Sequence, residues 1–274
     1  VRLRDALAPI LIVALAGGCA SMSRKFTFLR PDVTRKEFTR TAPEYSVKQD
    51  GRRSGTLAAR ERIALAEQSL NAGRLDDAQR EATAALKLDP KSADAHTLLA
   101  VVAAQRGQSA QAGGHYTKAV ELAPGRGSVL NNYGVWLCAN GRTAEALAWF
   151  DRALADPTYG TPIATRANAG ACAVDAGQAV RAERDLRLVL AEDPDNAIAL
   201  AAMARNEFRA GRYFEARAFS QRRLAAAPAT PEILRLASQI EQKLGDNRAA
   251  ERYMQELAAQ SSVTPVSSGE TGEQ

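Results

Sequence analysis

Aromatic side chains are scarce in this chain: seven Phe, six Tyr and two Trp make only 5% of 274 residues. Sandwiches and barrels draw their cores from β-branched and aromatic residues, so the deficit excludes them and favours helices packed through Ala and Leu. Cysteine is also rare. Three residues, Cys19, Cys138 and Cys172, cannot make a disulfide framework. Only one long apolar run occurs, Ala6–Ala16, which excludes a polytopic membrane protein. Histidine appears twice, at His96 and His115, in different helices and without a His-Glu-x-x-His pattern. Both read as ordinary helix residues. No Ser-His-Asp order or glycine-rich nucleophile turn is present. Gly125-Arg126-Gly127 follows Pro124 in a turn with no strand before it, so it is no phosphate cradle. The sequence therefore offers no catalytic constellation, no metal-ligand cluster and no cofactor motif. An enzyme and a small-molecule substrate are not expected.

What is present begins with charge. The net charge is +5, but residues 20–56 alone carry nine Lys or Arg against four acids. With a further +1 in the first nineteen residues, residues 57–274 are left at −1. A nucleic-acid binder carries its basic face on the folded body. This body is nearly neutral, and nucleic acid is not an expected partner.

Arg2 and Arg4 precede the apolar run, which exits through Gly17-Gly18 into Cys19. A basic start, a short apolar run and small residues make a secretory signal. Leu15-Ala16-Gly17-Gly18-Cys19 resembles the bacterial lipoprotein signal, with Ala16 where a larger aliphatic residue is usual. The resemblance implies a signal peptide at 1–18, acylation of Cys19 and, from Ala20, sorting to the outer membrane, periplasmic face; the alternative is an ordinary signal with an incidental cysteine. Residues 19–56 contain Pro31 and Pro43 and read as a basic flexible tether with a reach of roughly 35 Å. Its charge suits either an anionic lipid surface or a solvated linker. Residues 261–274 are rich in Ser, Thr, Gly and Glu and read as a disordered tail.

Between tether and tail, at 57–260, the chain repeats. Gly73, Gly107, Gly141, Gly177, Gly211 and Gly245 are spaced by 34, 34, 36, 34 and 34 residues. Five residues after each stands an alanine, from Ala78 to Ala250, and seven residues before each a small one, from Ala66 to Ser238. Prolines follow the first five glycines by sixteen or seventeen residues. This is the signature of the tetratricopeptide repeat. The glycine turns the chain, the small residues mark the closest helix approach, and proline ends the second helix. Leu65, Leu99, Tyr133 and Met203, with Tyr116, Phe150, Leu186 and Met254, are the expected larger core residues. The fold class is all-α: an α-solenoid of six repeats and twelve antiparallel helices, which the family makes a right-handed superhelix. Two departures stand out. In repeat five Ser220 and Arg223 stand where a large apolar residue and a small one are expected, and Ala155–Pro162 lengthens one connection by two residues, as a tolerated insertion or a partner feature.

Signal cysteine, tether and six repeats together resemble the type IV pilus biogenesis lipoprotein, the pilotin of the pilus secretin. Leu130-Asn131-Asn132-Tyr133-Gly134, the Asp156–Pro162 loop and Asn168-Ala169-Gly170 add to the likeness. The resemblance implies a non-enzymatic outer-membrane lipoprotein, held by acyl chains, whose partner is the secretin subunit. It implies a role in the secretin's localisation or oligomerisation. The alternative is a scaffold of the same build for outer-membrane protein assembly or cell-wall enzymes. In the family, first helices line a concave groove. By position its lining would be Ile63, Glu67 and Leu70; Thr97 and Val101; Asn131, Val135 and Cys138; Ala171 and Val174; Ala201, Arg205 and Phe208. About half of these are expected only to pack neighbouring helices. Cys138 and Cys172 fall near the ends of adjacent parallel first helices, either bridged or as two small buried side chains.

Overall fold

The computed structural model describes residues 51–263, which form twelve α-helices with no strand among the described residues. They pair as six hairpins: α1 (Gly51–Asn71) with α2 (Leu75–Leu88), α3 (Ala93–Gln105) with α4 (Ser109–Leu122), and α5 (Gly127–Ala139) with α6 (Thr143–Leu154). Then follow α7 (Pro162–Asp175) with α8 (Ala179–Glu192), α9 (Ala197–Arg209) with α10 (Tyr213–Ala226), and α11 (Pro231–Leu244) with α12 (Asn247–Val263). Each second helix also packs on the first helix of the next hairpin, so the pairs stack as the all-α solenoid that the period predicts. The expected signal peptide at 1–18, the Cys19 acylation site and the tail from 264 lie outside the described residues. Helix α1 starts at Gly51, six residues before the expected domain edge, and α12 continues to Val263. No proline stands between Pro43 and α1 to stop the first helix from extending backwards.

Every first helix ends in the same way. All six repeat glycines have positive φ, between 70° and 81°. In repeat one the Gly73 N–H donates to the Leu70 carbonyl at 3.0 Å, and the Arg74 N–H to the Ser69 carbonyl at 2.9 Å. The same pair of bonds recurs at each of the other five turns. This Schellman closure satisfies the helix's last carbonyls without any side chain, and only glycine takes the left-handed conformation at no steric cost.

Closeness inside each hairpin follows from the small residues. Ala66, Ala100 and Ala204 are fully buried, as are Ala78, Ala112, Ala146, Ala182 and Ala216 opposite. At Gly134 a Cβ would stand 2.8 Å from a Phe150 ring carbon, and at Gly170 it would stand 2.7 Å from Leu186 Cγ. The main core cluster runs continuously from Ala100 to Met203. Leu65 and Met254 depart from expectation: they are 44% and 45% exposed. Both belong to the first and last of the described hairpins, where no further repeat among the described residues covers the outer face.

The two irregular places are resolved locally. In repeat five, Ser220 Oγ donates to the Arg217 carbonyl at 2.9 Å, and the buried Arg223 guanidinium donates to the Ala227 and Pro228 carbonyls. Arg223 thus caps its own helix. In the longer connection, the Asp156 carboxylate accepts from the Gly127 N–H at 2.8 Å and from Thr158 N–H and Oγ1. The Gly127 bond, followed by those from Thr158, holds the Asp156 pKa below its usual value. Tyr159 lies over Gly127, and Thr165 Oγ1 shares a hydrogen bond of 2.9 Å with its hydroxyl. The insertion is thus stapled to the start of α5.

Cys138 on α5 and Cys172 on α7 form a disulfide, with Cα atoms 5.9 Å apart and a sequence separation of 34. A bridge closing a loop of that length stabilises by about 3–4 kcal/mol in the chain-entropy account. Replacing both cysteines by alanine should lower the urea midpoint by the corresponding amount, and an unchanged midpoint would show that the bridge contributes nothing. For the glycines, Gly170→Ala should cost about 1–3 kcal/mol by overpacking against Leu186. Gly114→Ala, in the middle of α4 where a Cβ meets nothing within 4 Å, should instead stabilise by about 0.5–1 kcal/mol. Equal effects in chemical denaturation would contradict the packing assigned to Gly170.

Candidate functional site

The first helices α1, α3, α5, α7, α9 and α11 carry the expected groove residues on successive repeats. Their side chains divide into two groups. Thr97 and Val174 are buried: Thr97 Oγ1 donates back to the Ala93 carbonyl at 2.9 Å, and Val174 belongs to the main core. Buried in this way, neither offers an open side chain to a groove. Ile63 and Leu70 are half-buried against Ala66, Leu98 and Leu99, while Glu67 is exposed. Val101 and Ala171 are half-buried at the edge of the main core. Cys138 is engaged in the disulfide. Val135 is 41% exposed and leaves an apolar side chain open to solvent on α5.

Polar contacts join the middle repeats. Asn168 Nδ2 donates to Asn131 Oδ1 at 3.1 Å, and Asn131 Nδ2 donates to Asn132 Oδ1 at 3.4 Å. A chain of three carboxamides thus runs from α5 to α7, fixing the Asn131 orientation. On α9, Arg209 donates to the Val174 carbonyl and pairs with Asp175 at 3.4 Å. Arg205 stands 3.9 Å from the other Asp175 oxygen, and its Nε is buried without an acceptor. Phe208 is half-buried and packs against Tyr213, with ring centroids 5.6 Å apart.

Three of the expected residues converge. Ala171, Ala201 and Arg205 line one cavity of about 340 Å³ between α7, α9 and α11. Ile198, Ile233 and Leu236 complete its apolar wall, and Ile198 is 47% exposed. These three were missed in the sequence. In repeat six the positions equivalent to the expected lining are Arg235, Gln239 and Gln242, which read as polar surface. Leu236 stands one position along. Extending the repeat alignment through α11 therefore passes it by. The cavity can receive one or two large apolar side chains beside charged groups of both signs, since Arg205, Arg223 and Glu232 also line it, which is chemistry for holding a peptide segment.

The two histidines also differ from expectation. They do not act as unrelated helix residues: His96 Nδ1 and His115 Nδ1 are 3.1 Å apart. The rings are tilted, with centroids 5.4 Å apart. Desolvation lowers the pKa of both, and His115 and Lys118 lower that of His96 further. The only signal in sequence is their spacing of 19 residues, which places them opposite one another across the turn at Gly107. Among the described residues no group of three or more His, Cys, Asp and Glu converges. Nor, among those residues, is any helix long and apolar enough to cross a membrane.

The comparisons with known proteins agree with this geometry. Tetratricopeptide-repeat models match residues 63–127 and 116–160, and again 173–240. No curated protein matches the chain at the level of sequence. Among solved structures, it is similar to PilW, described as a widely conserved type IV pilus biogenesis factor, with 30% identity and a TM-score of 0.67 over 75% of this chain and 94% of that one. It is also similar to PilF of Pseudomonas aeruginosa, with 24% identity and a TM-score of 0.63 over 77% of this chain and 95% of that one. The Cut9–Hcn1 hetero-tetramer of the APC/C gives a TM-score of 0.65 at 16% identity, covering 78% of this chain and 44% of that one. The last two likenesses concern the fold alone. Six hairpins closed by left-handed glycines, the matching repeat models and the identity to PilW together make this chain a member of the tetratricopeptide-repeat family, similar to the type IV pilus biogenesis factor PilW.

Proposed function

We propose that this chain is a non-enzymatic outer-membrane lipoprotein of type IV pilus biogenesis that binds a secretin subunit and assists its localisation or oligomerisation. In this reading Cys19 carries the acyl chains on the periplasmic face, the basic segment after it supplies reach, and the concave side of the repeats holds the client. The likeness to PilW, over nearly the whole of that protein, carries the proposal. The apolar cavity between α7, α9 and α11 supports it, because a surface of that kind suits a polypeptide client rather than a small polar substrate. Membrane residence of both partners would raise their effective concentration, so modest intrinsic affinity suffices.

A photoreactive residue placed at Val135 or Leu236 in the living cell tests the client's identity. The expected product is an adduct with the pilus secretin, and a matched probe at the exposed Leu188 on the second helix α8 should give none. A deletion strain should lose its heat-stable secretin multimers. Intact multimers, or adducts with barrel-assembly or cell-wall factors in place of the secretin, would favour the scaffold alternative. Cys19→Ser should release the protein from the membrane fraction, and retention there would remove the acyl anchor from the scheme.

A further inference from the structure

His96 lies within α3 and His115 within α4, the two helices of repeat two. Their Nδ1 atoms are separated by 3.1 Å. Two nitrogens bound to one zinc-sized ion at about 2.1 Å lie about 3.0 Å apart at a right angle and about 3.4 Å apart at the tetrahedral angle. The observed separation falls between those limits. We propose that this imidazole pair is a binding site for a divalent transition-metal ion, coordinated by His96 Nδ1 and His115 Nδ1, with water completing the shell.

Two further features support the assignment. First, both rings are only half-buried, so solvent reaches the pair. Second, Lys118, the cation that acts on His96, is bound to the Glu121 carboxylate at 2.9 Å, which offsets its repulsion of an incoming ion.

Without metal, one ring donates its Nδ1 proton to the other. On binding, each ring turns about its Cβ–Cγ bond, that proton moves through solvent to the same ring's Nε2, and both Nδ1 lone pairs coordinate; a pair that starts with one proton on each ring keeps both. Imidazole ligands select Zn²⁺, Ni²⁺ and Cu²⁺ over Mg²⁺ and Ca²⁺. Because no further His, Cys, Asp or Glu joins the pair in a metal-binding group among the described residues, affinity belongs in the micromolar range rather than that of a structural zinc site. A bound ion would join α3 to α4, stiffening the hairpin that carries Val101.

Zn²⁺ and Ni²⁺ titrated calorimetrically into the full chain, purified without a histidine tag, test the site. Three variants serve as comparisons: His96→Gln, His115→Gln and the double change. Cys19 is common to all four proteins, so any ion it holds cancels. The expected result is one ion per chain beyond those the double variant binds, with each single variant weaker by roughly tenfold or more. Nitrogen NMR of the unsubstituted chain supplies a readout independent of variant folding. Zn²⁺ should shift the Nδ1 resonances of both rings and leave both Nε2 positions protonated. Equal binding by the double variant, no binding below millimolar Zn²⁺, or unmoved Nδ1 resonances would each overturn the assignment.

Discussion

The left-handed turn at each repeat glycine is the constraint on which the rest of the structure depends. By closing the first helix through two backbone hydrogen bonds, it returns the chain antiparallel within three residues. No side chain is needed for the reversal, so the flanking side chains are free to pack. The closeness that results then determines composition. Where two helix backbones approach this tightly, only Ala, Gly or Ser fits, and the core becomes a stack of fully buried alanines with few aromatic rings. The poverty in aromatics and the glycine period are two consequences of one geometry.

A solenoid built this way has a middle and two ends, and they are not equivalent. Each interior hairpin is covered on both sides, whereas α1 and α12 are covered on one, which is why Leu65 and Met254 stay half in solvent although their equivalents Tyr133 and Phe150 are buried. The stabilising additions sit in the interior. Tyr116, Tyr133, Trp136 and Trp149 form one aromatic group across repeats two and three. The disulfide and the Asp156–Tyr159 staple then tie repeat three to repeat four. Farther along, charge replaces volume: Glu207 and Glu241 are buried but bound to Arg212 and Arg217, and Arg223 is spent on carbonyls. Buried charges of this kind survive because each has a partner.

The fold was legible because each repeat column encodes a backbone requirement, and backbone requirements do not depend on what lies beyond the hairpin. Gly141 turns the chain whatever surrounds it. The groove was less legible because exposure depends on neighbours. Thr97 and Val101 lie on the same helix, one turn apart, yet Thr97 is buried and Val101 only half-buried. Leu236 escaped notice because its column is polar in repeat four, where it is Asn168, and alanine in repeat five, where it is Ala202. Nothing in periodicity marks it as a wall. The histidines were hidden for a different reason: local pattern compares residues three or four apart, and contact across a hairpin turn joins residues 19 apart.

Groove and solenoid architecture bear on how a client could be held. The cavity between α7, α9 and α11 is small at about 340 Å³, and its walls belong to three separate hairpins. Burying one large apolar side chain there is worth on the order of 1.5–3 kcal/mol, which alone gives millimolar binding or weaker. A useful complex therefore needs either further anchors along the concave side or a high local concentration of client. Under the proposed function the membrane provides the second. Weak docking then becomes an advantage, since a factor that assists assembly must release its client once neighbouring subunits compete for the same surface. Because the cavity spans hairpins whose relative placement is fixed by stacked alanines rather than by a flexible loop, it is preformed, and little ordering of the domain opposes capture.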